Sequence, residues 1–148
     1  MRLPHGSTSF NTTTPGPDPK QFRTLITAVA REFGAHIEEF LLPDGTPNYI
    51  TTRLRERERR FDLLCHDSLF LLAFAEVSPT PGAPPVFRDE PRWAELLQAR
   101  SEFGVYTREE LDTPLSEVDI NELNSFEHGQ IRHWRPGTVG ELTFNHWD

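Results

Sequence analysis

The apolar positions of the chain begin at helical spacing. Phe22, Leu25, Ile26, Val29 and Phe33 recur every three or four residues, the interval that lines one face of a helix. Ahead of them Asp18, Pro19 and Gln21 suit the N-cap, first-turn and N3 roles, and Gly34 suits the stop. The period then changes. HIEEFLL runs into the turn-rich PDGTP and on to NYITTRLRERERRFDLLC. There Ile50, Thr51, Thr52, Phe61 and Leu63 favour extended structure, which predicts a hairpin about Asp44–Gly45. SLFLLAFAEV reads as a strand buried on both faces, with CHDS as the turn before it; a buried helix is the alternative that periodicity leaves open.

Beyond the proline-rich SPTPGAPP at 78–85, Trp93, Leu96, Leu97 and Arg100 return to helical spacing. TREE at 107–110 and SEVD at 116–119 match capping boxes and predict short helices on either side of Pro114. Ile131, His133 and Arg135 alternate with Arg132 and Trp134, which predicts a strand closed by Pro136. Thr138 and Glu141 then cap a last helix or turn bearing Val139, Leu142, Phe144 and Trp147. No internal repeat is visible. This order predicts an α+β fold: an antiparallel β-sheet with an N-terminal helix and several short C-terminal helices packed on one of its faces. Residues 1–17, rich in Thr, Ser, Pro and Gly, read as a flexible tail. Residues 18–148 read as a single α+β domain with a Pro-rich central loop at 78–85, because either half alone would be small for independent stability.

Composition supports a packed core. Only 36% of the 148 residues are hydrophobic, yet 11 Phe and 3 Trp supply bulk, which argues against general disorder. The net charge of −8 disfavours nucleic acid and membrane surfaces as partners, both being anionic. Cys65 is the one cysteine, so neither an intrachain disulfide nor a thiol pair for zinc is expected. With no signal-like or membrane-length apolar run, the expected setting is the cytoplasm.

Charge is unevenly placed. RLRERERR, residues 53–60, sets five arginines against two glutamates; this +3 leaves −11 for the rest of the chain. As one strand the run would put Arg53, Arg55, Arg57 and Arg59 on one face, a candidate anion clamp. As an internal charge balance it would find its partners in residues 101–127, where eight acids meet only Arg108. No aromatic residue interleaves the arginines to stack a base.

Motifs of catalysis are sparse. Cys65, His66 and Asp67 are consecutive, but adjacent residues on an extended chain point to opposite sides; a buried small cysteine and turn residues explain them. A Cys–His pair with His128 or His133 is the sharper alternative. The six histidines form no metal-binding spacing, and no phosphate loop, dinucleotide fingerprint or nucleophile elbow occurs. No catalytic residue, metal site or cofactor is therefore expected, and the chain reads as a non-enzyme.

The most distinctive stretch is the ending, IRHWRPGTVGELTFNHWD. Its Trp and Phe residues suit core packing, with a partner-binding patch as the alternative. The aromatic-x-Pro, Gly, then Phe-Asn-x-Trp-Asp pattern resembles the C-terminus of small bacterial immunity proteins of polymorphic toxin systems. The resemblance spans about eighteen residues and carries no ligand or catalytic residue with it. It implies an acidic, non-catalytic binding protein that occludes the active site of a toxin with a basic surface. Glu109, Glu110, Asp112, Glu117, Asp119 and Glu122 are the expected contacts. The alternatives are a small ligand-binding or enzymatic domain that uses the arginines as an anion clamp, aided by His66 or His133, and a homodimer joined through the aromatic C-terminus.

Overall fold

A computed structural model describes residues 1–10, 12, 15–80 and 82–148. Helix α1, Pro19–Glu32, starts where the caps predict: the Asp18 side chain accepts from the Lys20 amide, and Gly34 follows the helix at φ 67°. Strands β1 (His36–Leu41), β2 (Tyr49–Glu56), β3 (Arg59–His66) and β4 (Leu71–Ala75) form an antiparallel meander in that spatial order. The loop carrying Asp44 and Gly45 joins β1 to β2, as expected. Beyond β4, the short β5 (Phe87–Arg88) pairs antiparallel with its end, and β6 (Gly104–Val105) pairs parallel with its start. Helix α2 is Pro91–Arg100. After it come α3 (Arg108–Leu111), a 3-10 turn (Leu115–Glu117), α4 (Ser125–Trp134) and α5 (Val139–Thr143). The fold is α+β.

Alternation along the strands divides the core. Ile50, Leu54, Phe61, Leu63, Cys65, Leu72 and Phe74 face α1 and α2, where they meet Phe22, Ile26, Val29, Trp93 and Leu97. Their neighbours Tyr49, Leu64, Ala73 and Ala75 face the other way, toward Phe87, Leu111 and Phe144. Helices thus cover both faces of the sheet rather than one, because β3 and β4 are apolar on both sides. On the second face Gly140 of α5 lies so near β5 that a Cβ there would stand 2.3 Å from Phe87 Cε2 and 3.1 Å from the Leu111 carbonyl. Gly140→Ala is expected to lower stability by about 1–3 kcal/mol through overpacking, read as an earlier urea midpoint. A midpoint at or above that of the wild type would contradict this packing.

Four further expectations are corrected. The arginine run is not one strand: it turns over at Arg57–Glu58 between β2 and β3, with Arg57 at φ 59°, the positive φ that a two-residue hairpin turn needs at its first position. Ile131–Arg135 is not a strand but the end of α4, and Arg135 closes the helix at φ 52°. A full capping box between Asn124 and Glu127 starts this helix, and that box outweighs five residues of alternation. SEVD does not open a helix; Ser116 lies within the 3-10 turn, and Asp119 caps Asn121 and pairs with Arg2. Finally, residues 1–10 are not a loose tail. Leu3, Ser7 and Thr8 are fully buried, and residues 1–3 exchange backbone hydrogen bonds with Asp119.

Candidate functional site

The hairpin makes cross-strand ion pairs of the arginines. Arg53 stands opposite Asp62 in the register and grips it with two bonds of 3.0 and 3.1 Å, while its third nitrogen reaches Glu39 at 3.0 Å. Asp62 donates nothing and accepts both bonds, which holds the Arg53 guanidinium above its ordinary pKa. Arg55 and Arg60 share Glu38, at 3.8 and 2.7 Å, and the hydrogen bond from Arg60 keeps that carboxyl below the usual range. Arg59 belongs to the opposite face, where it bridges Glu56 at 2.9 Å and Glu90 at 2.7 Å. Arg92 and the Trp93 indole also bind Glu56. Burial alone would raise the Glu56 carboxyl, but these donors outweigh it and hold it low. Arg57, at the hairpin tip, enters no ion pair among the described residues.

The four odd-numbered arginines therefore do not share a face. Arg53 lines a hollow, and three of its N–H groups are already engaged by two carboxylates. Arg53 and Arg55 share a face of β2, but Glu38, Glu39 and Asp62 pair with them there, and the turn carries Arg57 and Arg59 away from that face. The scaffold role holds with different partners: the acids belong to β1, β2, β3 and the start of α2, not to residues 101–127.

That leaves the acidic segment under-compensated. Glu109 and Glu117 are exposed and enter no ion pair among the described residues. Asp112 has only the exposed Arg108 at 3.4 Å, and Glu110 is engaged in the capping box of α3 with Thr107. Asp119 and Glu122 share Arg2, at 3.1 and 3.4 Å; the backbone amide of Asn121 and then Arg2 hold Asp119 below the ordinary carboxylate range. The six predicted contacts thus fall into two groups, one about α3 and the 3-10 turn, the other about Arg2.

Cys65 and His66 sit inside the molecule. Burial pushes the Cys65 thiol far up, which makes it a poor nucleophile. His66 is fully buried. Its Nδ1 accepts from the amides of Ser68 and Leu69 at 3.1 and 3.0 Å, so Nε2 carries the proton and donates to the Ser7 carbonyl at 2.8 Å. Ser9 Oγ lies 3.5 Å from Nε2 and donates to Asp67 at 2.5 Å. Serine, histidine and aspartate meet here, but the imidazole has no free lone pair with which to act as a base. His133 is exposed on α4, its ring edge-on to Trp134, far in environment from the buried thiol. Among the described residues no three His, Cys, Asp or Glu side chains gather as metal ligands, and no helix is long and apolar enough to cross a membrane.

Sequence reasoning missed three residues that position this region. Glu127 is fully buried; its Oε1 accepts from the amides of Gly6 and Asn124 at 3.0 and 3.2 Å, and its Oε2 from the Thr8 amide and hydroxyl at 2.9 and 2.6 Å. Asn48 and Asn145 clasp each other through their backbones and the Asn48 side chain, and their amides reach the carbonyls of Thr143, Thr8 and Leu142. The asparagine of FNHWD is thus a clasp for the chain ends. The sequence signal for Glu127 is the N-S-F-E capping pattern at 124–127.

No protein-family model, no curated protein and no solved structure matches this chain.

Proposed function

We propose that this chain is a non-catalytic acidic binding protein that covers a basic surface on a partner protein, in the manner of an immunity protein that neutralises a bacterial toxin by occluding its active site. One observation carries the reading. Most of the main block of positive charge is neutralised by acids of β1, β2, β3 and the start of α2, so it leaves the acids at 101–127 without their expected counter-charge. Uncompensated carboxylates on an exposed surface attract a cationic partner, speed encounter and can fill a site built for an anionic substrate. Glu109, Asp112 and Glu117 are the strongest contacts in this reading, Glu110 supports the helix that presents two of them, and Asp119 and Glu122 exchange Arg2 for the partner. Such a protein works in the cytoplasm.

The test begins with affinity capture from the native host, using the wild type and the combined variant Glu109→Gln, Asp112→Asn, Glu117→Gln as baits. The expected partner is basic and associates about tenfold more slowly with the variant at low salt, with a flattened salt dependence. An unchanged association rate for the captured partner would refute the acidic surface as its contact.

A further inference from the structure

The second face of the sheet carries two hollows that meet. One, of about 450 Å³, has Tyr49, Thr51 and Arg53 on its floor and Leu41, Leu42 and Pro43 at its rim. The other, of about 270 Å³, is lined by Trp134, Arg135, Pro136, Phe144, Trp147 and the loop prolines Pro84 and Pro85. Gly82, Pro85 and His146 line both, so the two form one elongated groove. His146 stands at the junction with Tyr49 Oη 3.3 Å from its Nε2.

Leu41, Leu42 and Trp134 are among the few large hydrophobic side chains left exposed, and all three border this groove. The indoles of Trp134 and Trp147 lie parallel, 2° apart with centroids 6.0 Å from each other. Arg135 lines this hollow and, like Arg132 three residues before it, is exposed and enters no ion pair among the described residues; Glu141, also in the lining, accepts from the Gly137 amide at 2.6 Å. An elongated groove walled by aromatic rings suits an extended chain, and proline rings on such a chain dock against aromatic faces with little ordering cost. Pro84 and Pro85 of this chain already line the same hollow as the two indoles. The unpaired arginines call for carboxylates opposite them.

We propose that this groove docks an extended, proline-bearing segment of a partner protein whose prolines are flanked by acidic residues at the Trp134 end. The site is separate from the acidic residues about α3 and does not depend on them.

The chain contains three tryptophans, which makes the test direct. Trp93 donates its indole N–H to Glu56 inside the α2-side core and serves as an internal reference. A synthetic peptide of repeated Glu-Pro-Pro triplets is titrated into the nitrogen-15-labelled full chain. The expected result is a saturable shift of the Trp134 and Trp147 indole signals with Trp93 unmoved. Arg135→Glu weakens the response about tenfold, and Trp134→Leu abolishes the shift of Trp147; an unchanged Trp93 signal verifies that each variant is folded. The combined Glu109, Asp112 and Glu117 variant leaves the response unchanged, which separates this site from the acidic one. The proposal is overturned if the two signals do not move, or if Lys-Pro-Pro or proline-free Glu-Gly-Ser peptides move them equally. A stronger response to oligothymidylate, or a shift with protein concentration alone, would assign the groove to nucleic acid or to a second copy and equally overturn it.

Discussion

Glu127→Ala is expected to lower the stability of the fold by about 3–5 kcal/mol, the range found when one member of a buried charged network is removed. The carboxylate is fully enclosed and receives four donors, three from the segment carrying Gly6 and Thr8, and one from the N-cap of α4. Alanine would leave those donors buried without acceptors and break the capping box that starts α4. Glu127→Gln keeps one acceptor oxygen but turns an amide N–H₂ toward donors, so it should recover only part of the loss. Urea unfolding of both variants gives the ranking, and amide exchange at Gly6 and Thr8 should rise well before that of the β2–β3 core. An alanine variant within about 1 kcal/mol of the wild type would mean that water satisfies these donors and that the carboxylate is not the clasp.

Acid is expected to act first through His66. Burial holds its pKa below the ordinary value, against the pull of the Ser7 carbonyl, Asp67 and Glu127. The geometry gives the same direction independently, since a second proton would have to sit on Nδ1, facing the amides of Ser68 and Leu69. In the unfolded chain the ring titrates near about 6.5. Below that pH the unfolded state takes up a proton that the folded state refuses. Stability is therefore full above about pH 7 and falls by up to about 1.4 kcal/mol per pH unit as the pH drops from about 6.5 toward 5. His146, also lowered by burial, adds to the same slope. The carboxylates held low by their partners contribute only at more acid pH, as the pH falls through the carboxylate range. His66→Gln should be less stable at pH 7.5 yet show a flatter profile between pH 5 and 6.5. Equal slopes for the two proteins would remove His66 from the account. Because Nε2–H holds the Ser7 carbonyl, amide exchange in residues 5–9 should increase in the same window.

Particular residues show what could be read from the chain in advance. The start of α1 was legible because its cap is local: Asp18, Pro19 and an amphipathic stripe act within a few residues of each other. The burial of β4 on both faces was legible from its unbroken apolar run, and so was the capping box of α3. The Arg57–Glu58 turn was not legible, since neither residue is a usual turn former; the pairing of Arg53 with Asp62 and of Leu54 with Phe61 fixes the register and forces Arg57 to positive φ. At Ile131–Arg135 five residues alternate as a strand would, but the N-terminal cap seven residues earlier sets the segment as helix. Of the candidate contacts, the sequence placed the six acids in one acidic stretch, but not their division between α3 and Arg2.

The sequence by itself determined the α+β class, helices α1 and α2 and the turn that joins β1 to β2, because helix caps and apolar periods are properties of neighbouring residues. It also predicted an internal charge balance for the arginines of 53–60, with the anion clamp as the alternative. Which acids answer which arginines was decided only by the tertiary structure, because salt bridges form between residues brought together by strand register rather than by charge density along the chain. The same holds for the first ten residues: their polar composition says loose, but the buried carboxylate of Glu127, more than a hundred positions away, supplies acceptors for their amides and fastens them to the fold.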